Sequence, residues 1–127
     1  MNKIISTDSA PAAIGPYSQA VFAGQTLYIS GQLPLDPSTG SFAGDDIKAQ
    51  TGQSITNIKA ILEANGMSLS DVVKTTVLLH EIADFADMNE IYAEFFNENS
   101  PARAAFAVKD LPKGALVEIE AIAVKQD

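Results

Sequence analysis

Residues 71–108, DVVKTTVLLHEIADFADMNEIYAEFFNENSPARAAFAV, decide the fold. Asp71 to His80 carries Val72-Val73 and Val77-Leu78-Leu79, an apolar run of strand length that reads as a buried strand. From Asp84 the period changes. Phe85, Met88, Ile91, Tyr92, Phe95 and Phe96 recur at three- and four-residue steps, the apolar face of a helix. Asn97 to Pro101 breaks that helix, and Ala102 to Val108 returns to strand composition. Strand, helix and strand in this order make a β-α-β unit.

Outward from the unit, Lys109 to Gly114 reads as a turn and Leu116 to Val124 as a last strand. Upstream, Asp45 or Asp46 can cap a helix running to about Asn65, with Gly66 as its stop. Ile47, Ile55, Ile58, Ile61 and Leu62 form its stripe. Pro34 to Gly44, with two prolines and two glycines, is a connection. Tyr17 to Phe22 and Thr26 to Gly31 are β-rich runs split by Ala23-Gly24-Gln25, which predicts a hairpin. Residues 1–16 read as a loop. The order β-β-α-β-α-β-β is an α+β fold, a mixed sheet with both helices on one face because such crossovers share one hand. Its other face is left uncovered, so burial in an oligomer is expected.

A chain of 127 residues with 46% apolar composition fits a single domain, 1–127. Eight Lys and Arg stand against 16 Asp and Glu, a net charge of −8. Nucleic-acid binding needs clustered cations to neutralise phosphates, and the seven lysines are scattered from Lys3 to Lys125. Nucleic acid and anionic membrane are therefore not expected as partners. Without cysteine there is no disulfide, thiol nucleophile or Cys-based metal site, and with His80 as the sole histidine HExxH zinc chemistry is excluded. Met1 to Thr7 lacks the apolar core of a signal peptide, and no run reaches the ~18 apolar residues of a membrane span. A cytoplasmic location is the expectation.

Arg103, the only arginine, begins an apolar strand beside Pro101. Its guanidinium is a rigid fork that matches a carboxylate, although a rim arginine in a surface ion pair has the same appearance. Glu118 and Glu120 share one face of Leu116-Val117-Glu118-Ile119-Glu120-Ala121-Ile122 by strand alternation. Two carboxylates there can be a general base and its neighbour, or a solvated strand face. Ser30-Gly31 ends a strand where a ligand or another strand can approach the backbone. Tyr17 can donate to a ligand, and His80 reads as a surface residue. The Phe, Met and Tyr stripe of the second helix is assigned to the core.

Ala-Pro-Ala-Ala-Ile-Gly-Pro-Tyr-Ser-Gln (10–19), Leu-Tyr-Ile-Ser-Gly-Gln (27–32), Val-Val-Lys-Thr-Thr-Val (72–77), Pro-Ala-Arg (101–103) and Val-Glu-Ile-Glu-Ala-Ile-Ala (117–123) follow in order. Together they resemble the Rid (reactive intermediate deaminase) family, also called YjgF, over essentially the whole chain. The resemblance implies a chorismate-mutase-like fold and a homotrimer whose sheets line a central barrel, with a site at each subunit interface. It also implies hydrolysis of 2-iminopropanoate and 2-iminobutanoate to 2-keto acids and ammonia. Those imines arise from enamines released by pyridoxal-phosphate-dependent dehydratases. Neither a cofactor nor a metal is implied.

Position by position, Arg103 resembles the family's carboxylate-binding arginine and Glu118 its water-positioning acid, with Glu120 structural. Tyr17, Ser30, Gly31 and Asn89 resemble further substrate-lining residues. Ala105 stands where relatives often have cysteine; its carbonyl can still hold a water. Asn99-Ser100 is shorter than the loop relatives often carry there, which bears on the substrate side-chain pocket. A neighbouring Arg103 is expected to favour the ionised form of Glu118. The competing readings are a non-catalytic ligand-binding or chaperone-like trimer, and a translation inhibitor or ribonuclease, which the charge disfavours.

Overall fold

The computed structural model describes residues 1–126. The deciding unit is present as β4 (Val72–Leu79), α2 (Phe85–Phe95) and β5 (Ala102–Ala107), with β4 and β5 parallel from Lys74↔Ala102 to Leu79↔Ala107. The last strand, β6 (Val117–Val124), lies antiparallel to β4 on its other side. Beyond β6 come β3 (Thr26–Gln32), β2 (Ala20–Ala23) and β1 (Lys3–Ile5), giving the order β1-β2-β3-β6-β4-β5. Every neighbouring pair except β4 with β5 is antiparallel, so the sheet is mixed.

The first helix, α1 (Ile47–Ala64), starts where Asp46 accepts a 2.8 Å bond from the amide of Ala49. That bond settles the cap on Asp46 rather than Asp45. Its end is a Schellman closure: Met67 N–H donates to Leu62 O, and Gly66 N–H to Glu63 O. Gly66 holds φ +68°, the left-handed conformation that glycine adopts without a Cβ penalty.

The expected loop over residues 1–16 is corrected by the structure. Lys3–Ile5 pairs with β2, and Ile5 is buried while Ile4 is exposed. Three residues are too few to show a period, and pairing with a neighbouring strand decides them. The strand expected from Tyr17 begins instead at Ala20, because residues 15–17 close a tight turn and 18–19 are irregular. Tyr17 N–H donates to Gly15 O, and Gly15 has φ +124°.

α1 packs on β3 and β6 and beside α2. Ile55, Ile58, Ile61 and Leu62 meet Leu27, Val77, Leu79, Val117 and Ile119, all fully buried. Each such side chain is worth about 2 kcal/mol of apolar burial. In β6 the residues Val117, Ile119, Ala121 and Ala123 face this core, which sends Glu118, Glu120 and Ile122 to the opposite face. Tyr28 and Phe106 on other strands are 51% and 48% exposed.

Candidate active site

The pairing of β3 with β6 is regular from Thr26↔Val124 to Ile29↔Ala121 and then slips to Gln32↔Ile119. One extra residue is thus accommodated at Ser30-Gly31, a β-bulge. The bulge is anchored on the segment before β2. Ser30 Oγ donates to Ser18 O at 2.6 Å, and Ser30 N–H donates to Gln19 O at 2.9 Å. Gly31 needs no special φ here; it is required by space. A Cβ on Gly31 would collide with the carboxylate of Glu118, lying 2.9 Å from Glu118 Cδ. The close approach expected at this glycine is therefore made by Glu118 itself.

Glu118 is half-buried, and burial pushes its carboxyl above the usual carboxylate range. The like charge of Glu120 adds to the shift. Glu118, Glu120, Tyr17, Ser30 and Gly31 line an open cleft of about 880 Å³. One wall of the cleft is the loop holding Pro11, Ala12 and Ile14. Gln19, buried beneath it, ties that loop down with four hydrogen bonds. Its Oε1 accepts from Thr7 N–H at 2.7 Å; its Nε2 donates to Thr7 O at 3.1 Å, Ala10 O at 3.3 Å and Pro11 O at 2.8 Å. The wall behind Gly31 is held in the same way, since Asn57, fully buried on α1, donates to Leu33 O and Leu35 O. Neither amide was singled out in the sequence reading. A Gln or Asn with no strand or cap role is the only signal that marks them.

Arg103 lies elsewhere. It is level with Thr75 in the parallel register and rises on the helix side of the sheet. Its Nη1 donates to Asn89 Oδ1 at 2.7 Å. Its guanidinium carbon lies 4.8 Å from the ring centre of Tyr92 and 5.4 Å from that of Phe85. The Tyr92 hydroxyl shares a buried 2.8 Å hydrogen bond with Thr75 Oγ1. A second cavity of about 420 Å³ opens here, lined by Arg103, Asn89, Tyr92, Phe96, Ser100 and Pro101. The short Asn99-Ser100 segment does shape this cavity, with Asn99 at φ +51° and Ser100 Oγ donating to Phe96 O. Ala105, two residues beyond Arg103, packs against the core and lines neither cavity. Phe85 and Tyr92, read from the stripe as core alone, also stack against Arg103.

The residues expected to work together therefore lie in two separate clusters. Glu118 is level with Leu78 and, through it, with Phe106. Arg103 is two strands away and three residues along, about 14 Å between Cα atoms by ideal sheet spacings. The two side chains also leave opposite faces of the sheet. The expected stabilisation of ionised Glu118 by Arg103 does not occur within the chain, where burial and Glu120 raise its pKa instead.

A family model described as endoribonuclease L-PSP matches residues 7–125. A RutC family protein of Pyrococcus horikoshii is 58% identical over 126 residues, which is 99% of this chain and 100% of the relative. A bovine protein named 2-iminobutanoate/2-iminopropanoate deaminase is 53% identical, covering 98% of this chain and 91% of its own. The crystal structure of Escherichia coli TdcF with bound serine superposes with a TM-score of 0.94 at 44% identity, over 98% of this chain and 99% of that one. The chain belongs to the endoribonuclease L-PSP family, the group to which the Rid/YjgF motifs point.

Proposed function

We propose that the protein is a deaminase that hydrolyses small 2-imino acids, such as 2-iminopropanoate and 2-iminobutanoate, to 2-keto acids and ammonia. The observation that carries this reading is Arg103, a guanidinium at a cavity with no carboxylate partner among the described residues. The ion pairs among the described residues are Lys48–Glu90 and His80–Glu81. The name of the bovine relative and the amino acid held by TdcF support the same substrate class.

In this reading Arg103 holds the substrate carboxylate with its fork and so fixes the imine carbon. Glu118 takes a proton from water as the oxygen attacks that carbon. The substrate enters as the protonated iminium, so when the C=N double bond becomes a single bond its electron pair leaves the nitrogen as a neutral amine. The Glu118 proton then passes to the amine; as the C–N bond breaks, the hydroxyl proton returns to Glu118, a C=O bond forms, ammonia leaves, and Glu118 gives its proton to solvent. A carboxyl pushed upward in pKa suits this duty better than an ordinary one, because a proton shuttle works best near the operating pH. Tyr17, Ser30 and Gly31 line the water side; Asn89 acts on the carboxylate side.

Arg103 and Glu118 of one chain cannot reach one small acid, so the site is completed by a second copy. We place it at the subunit interfaces of a homotrimer. The exposed Tyr28, Phe106 and Ile4 on the open sheet side supply apolar surface for assembly. A cytoplasmic location goes with this reading, where dehydratases release the imines. The ribonuclease reading suggested by the family's description is not favoured: Asp36, Glu118 and Glu120 line the cleft against a single lysine, Lys113, and 8 cations stand against 16 acids.

Ammonia release from freshly generated 2-iminopropanoate, compared between wild type and Arg103→Ala, tests the proposal. Acceleration by wild type alone is expected. No acceleration by an intact oligomer would move the protein to the class of ligand-binding modules.

A further inference from the structure

We infer that Phe85, Asn89 and Tyr92 form a charge-neutral cradle that positions Arg103 while leaving its positive charge for the substrate. The inference rests on the reading of Arg103 as the carboxylate clamp.

Phe85, Asn89 and Tyr92 stand at i, i+4 and i+7 on α2, one face of the helix. All three touch the same guanidinium: two through aromatic rings and one through an amide oxygen at 2.7 Å. A long, flexible arginine normally gains order by pairing with a carboxylate, but that pairing would neutralise the fork. Here orientation comes from neutral groups. Ring faces attract a cation through their quadrupole without supplying an anion, and Asn89 presents an oxygen without a formal charge. The Tyr92 ring is itself fixed, because its hydroxyl is bonded to fully buried Thr75. That bond also locks the Tyr92 end of the cradle to β4 beside Arg103, since Thr75 and Arg103 are register partners. Among the described residues no carboxylate lies within ion-pair distance of Arg103. The guanidinium is thus held by three contacts, none of which must be broken electrostatically when an anion arrives.

The discriminating variant is Asn89→Asp. Asn89 is exposed, the two side chains have nearly the same shape, and a structural role for Asn89 predicts no kinetic change. The cradle predicts that the new carboxylate pairs with Arg103 and competes with substrate. KM for 2-iminopropanoate, and the inhibition constant of 2-ketobutanoate, should rise about fivefold while kcat stays within about twofold. Added salt should narrow the difference, because it screens the new pair. Tyr92→Leu removes the stacking without adding a charge that could repel the substrate itself, and should raise KM likewise, with Tyr92→Phe retaining most of the affinity. Oligomer size is checked for each variant. Wild-type KM and inhibition constant in Asn89→Asp would overturn the cradle, even if Tyr92→Leu fails to fold. If Arg103→Ala retains turnover and KM, the clamp itself has failed. If Arg103→Ala is inactive and Asn89→Asp is indistinguishable from wild type, only the cradle has.

Discussion

Glu118 lays its carboxylate over the backbone of Gly31, so that a Cβ at Gly31 would stand 2.9 Å from Glu118 Cδ. The contact joins the bulge in β3 to the acid in β6. The acid's position therefore depends on a residue that has no side chain.

Gly31→Ala follows from that contact. Its φ does not forbid alanine, so the damage comes from displacing Glu118. We expect kcat to drop at least about tenfold, with a stability loss of about 1–2 kcal/mol, the usual range for overpacking. Turnover and thermal melting are measured together. Unchanged kcat would show that Glu118 is not held by this approach.

The pH profile of kcat/KM should carry the mark of Glu118. Burial first, and then Glu120, raises its pKa in the folded chain. The acidic limb should report the ionisation of Glu118. Glu120→Gln removes the like charge, so the limb should move to lower pH. A limb that stays in place in Glu120→Gln would detach Glu118 from the titration. The stability sign runs the opposite way from that of a salt-bridged acid. A raised folded-state pKa means ionised Glu118 opposes folding, a penalty that grows as pH rises above the unfolded-state value. Glu118→Gln should therefore stabilise the protein near neutrality, and the gain should fade as pH drops toward the unfolded-state pKa.

Gln19→Ala removes four hydrogen bonds and leaves buried polar groups on the loop at 7–11. At about 1 kcal/mol net per bond, with some bonds recovered by water, we expect a loss of about 2–3 kcal/mol in urea unfolding. KM should rise as well, because the released loop is a wall of the Glu118 cleft. A destabilised variant with unchanged KM would separate the loop from the site.

Most of the architecture could be read from patterns that repeat. Helix α1 spans 18 residues, about five turns, and its ends carry Asp46 and Gly66, so cap and stop reinforce the period of its stripe. Lys3–Ile5 offered no such repetition and is a strand only because β2 lies beside it. Alternation placed Glu118 and Glu120 on one face but could not show which lies against Gly31, because that depends on an extra residue in the facing strand. The stripe of α2 recorded that Phe85 and Tyr92 are apolar and aligned; it could not show that Arg103 crosses over them. The same holds for Arg103 and Glu118. Nothing in their local sequences sets which face of a common sheet each will leave.

That separation supplies the most direct test of the account. Arg103→Ala and Glu118→Gln chains, each inactive alone, are mixed one to one, unfolded and refolded together, and assayed for 2-iminopropanoate hydrolysis. In a site built from the Arg103 of one subunit and the Glu118 of its neighbour, random assembly makes about one quarter of the sites wild type. The mixture should then regain about a quarter of wild-type activity. A mixture that forms mixed oligomers and stays inactive would contradict a site shared between subunits.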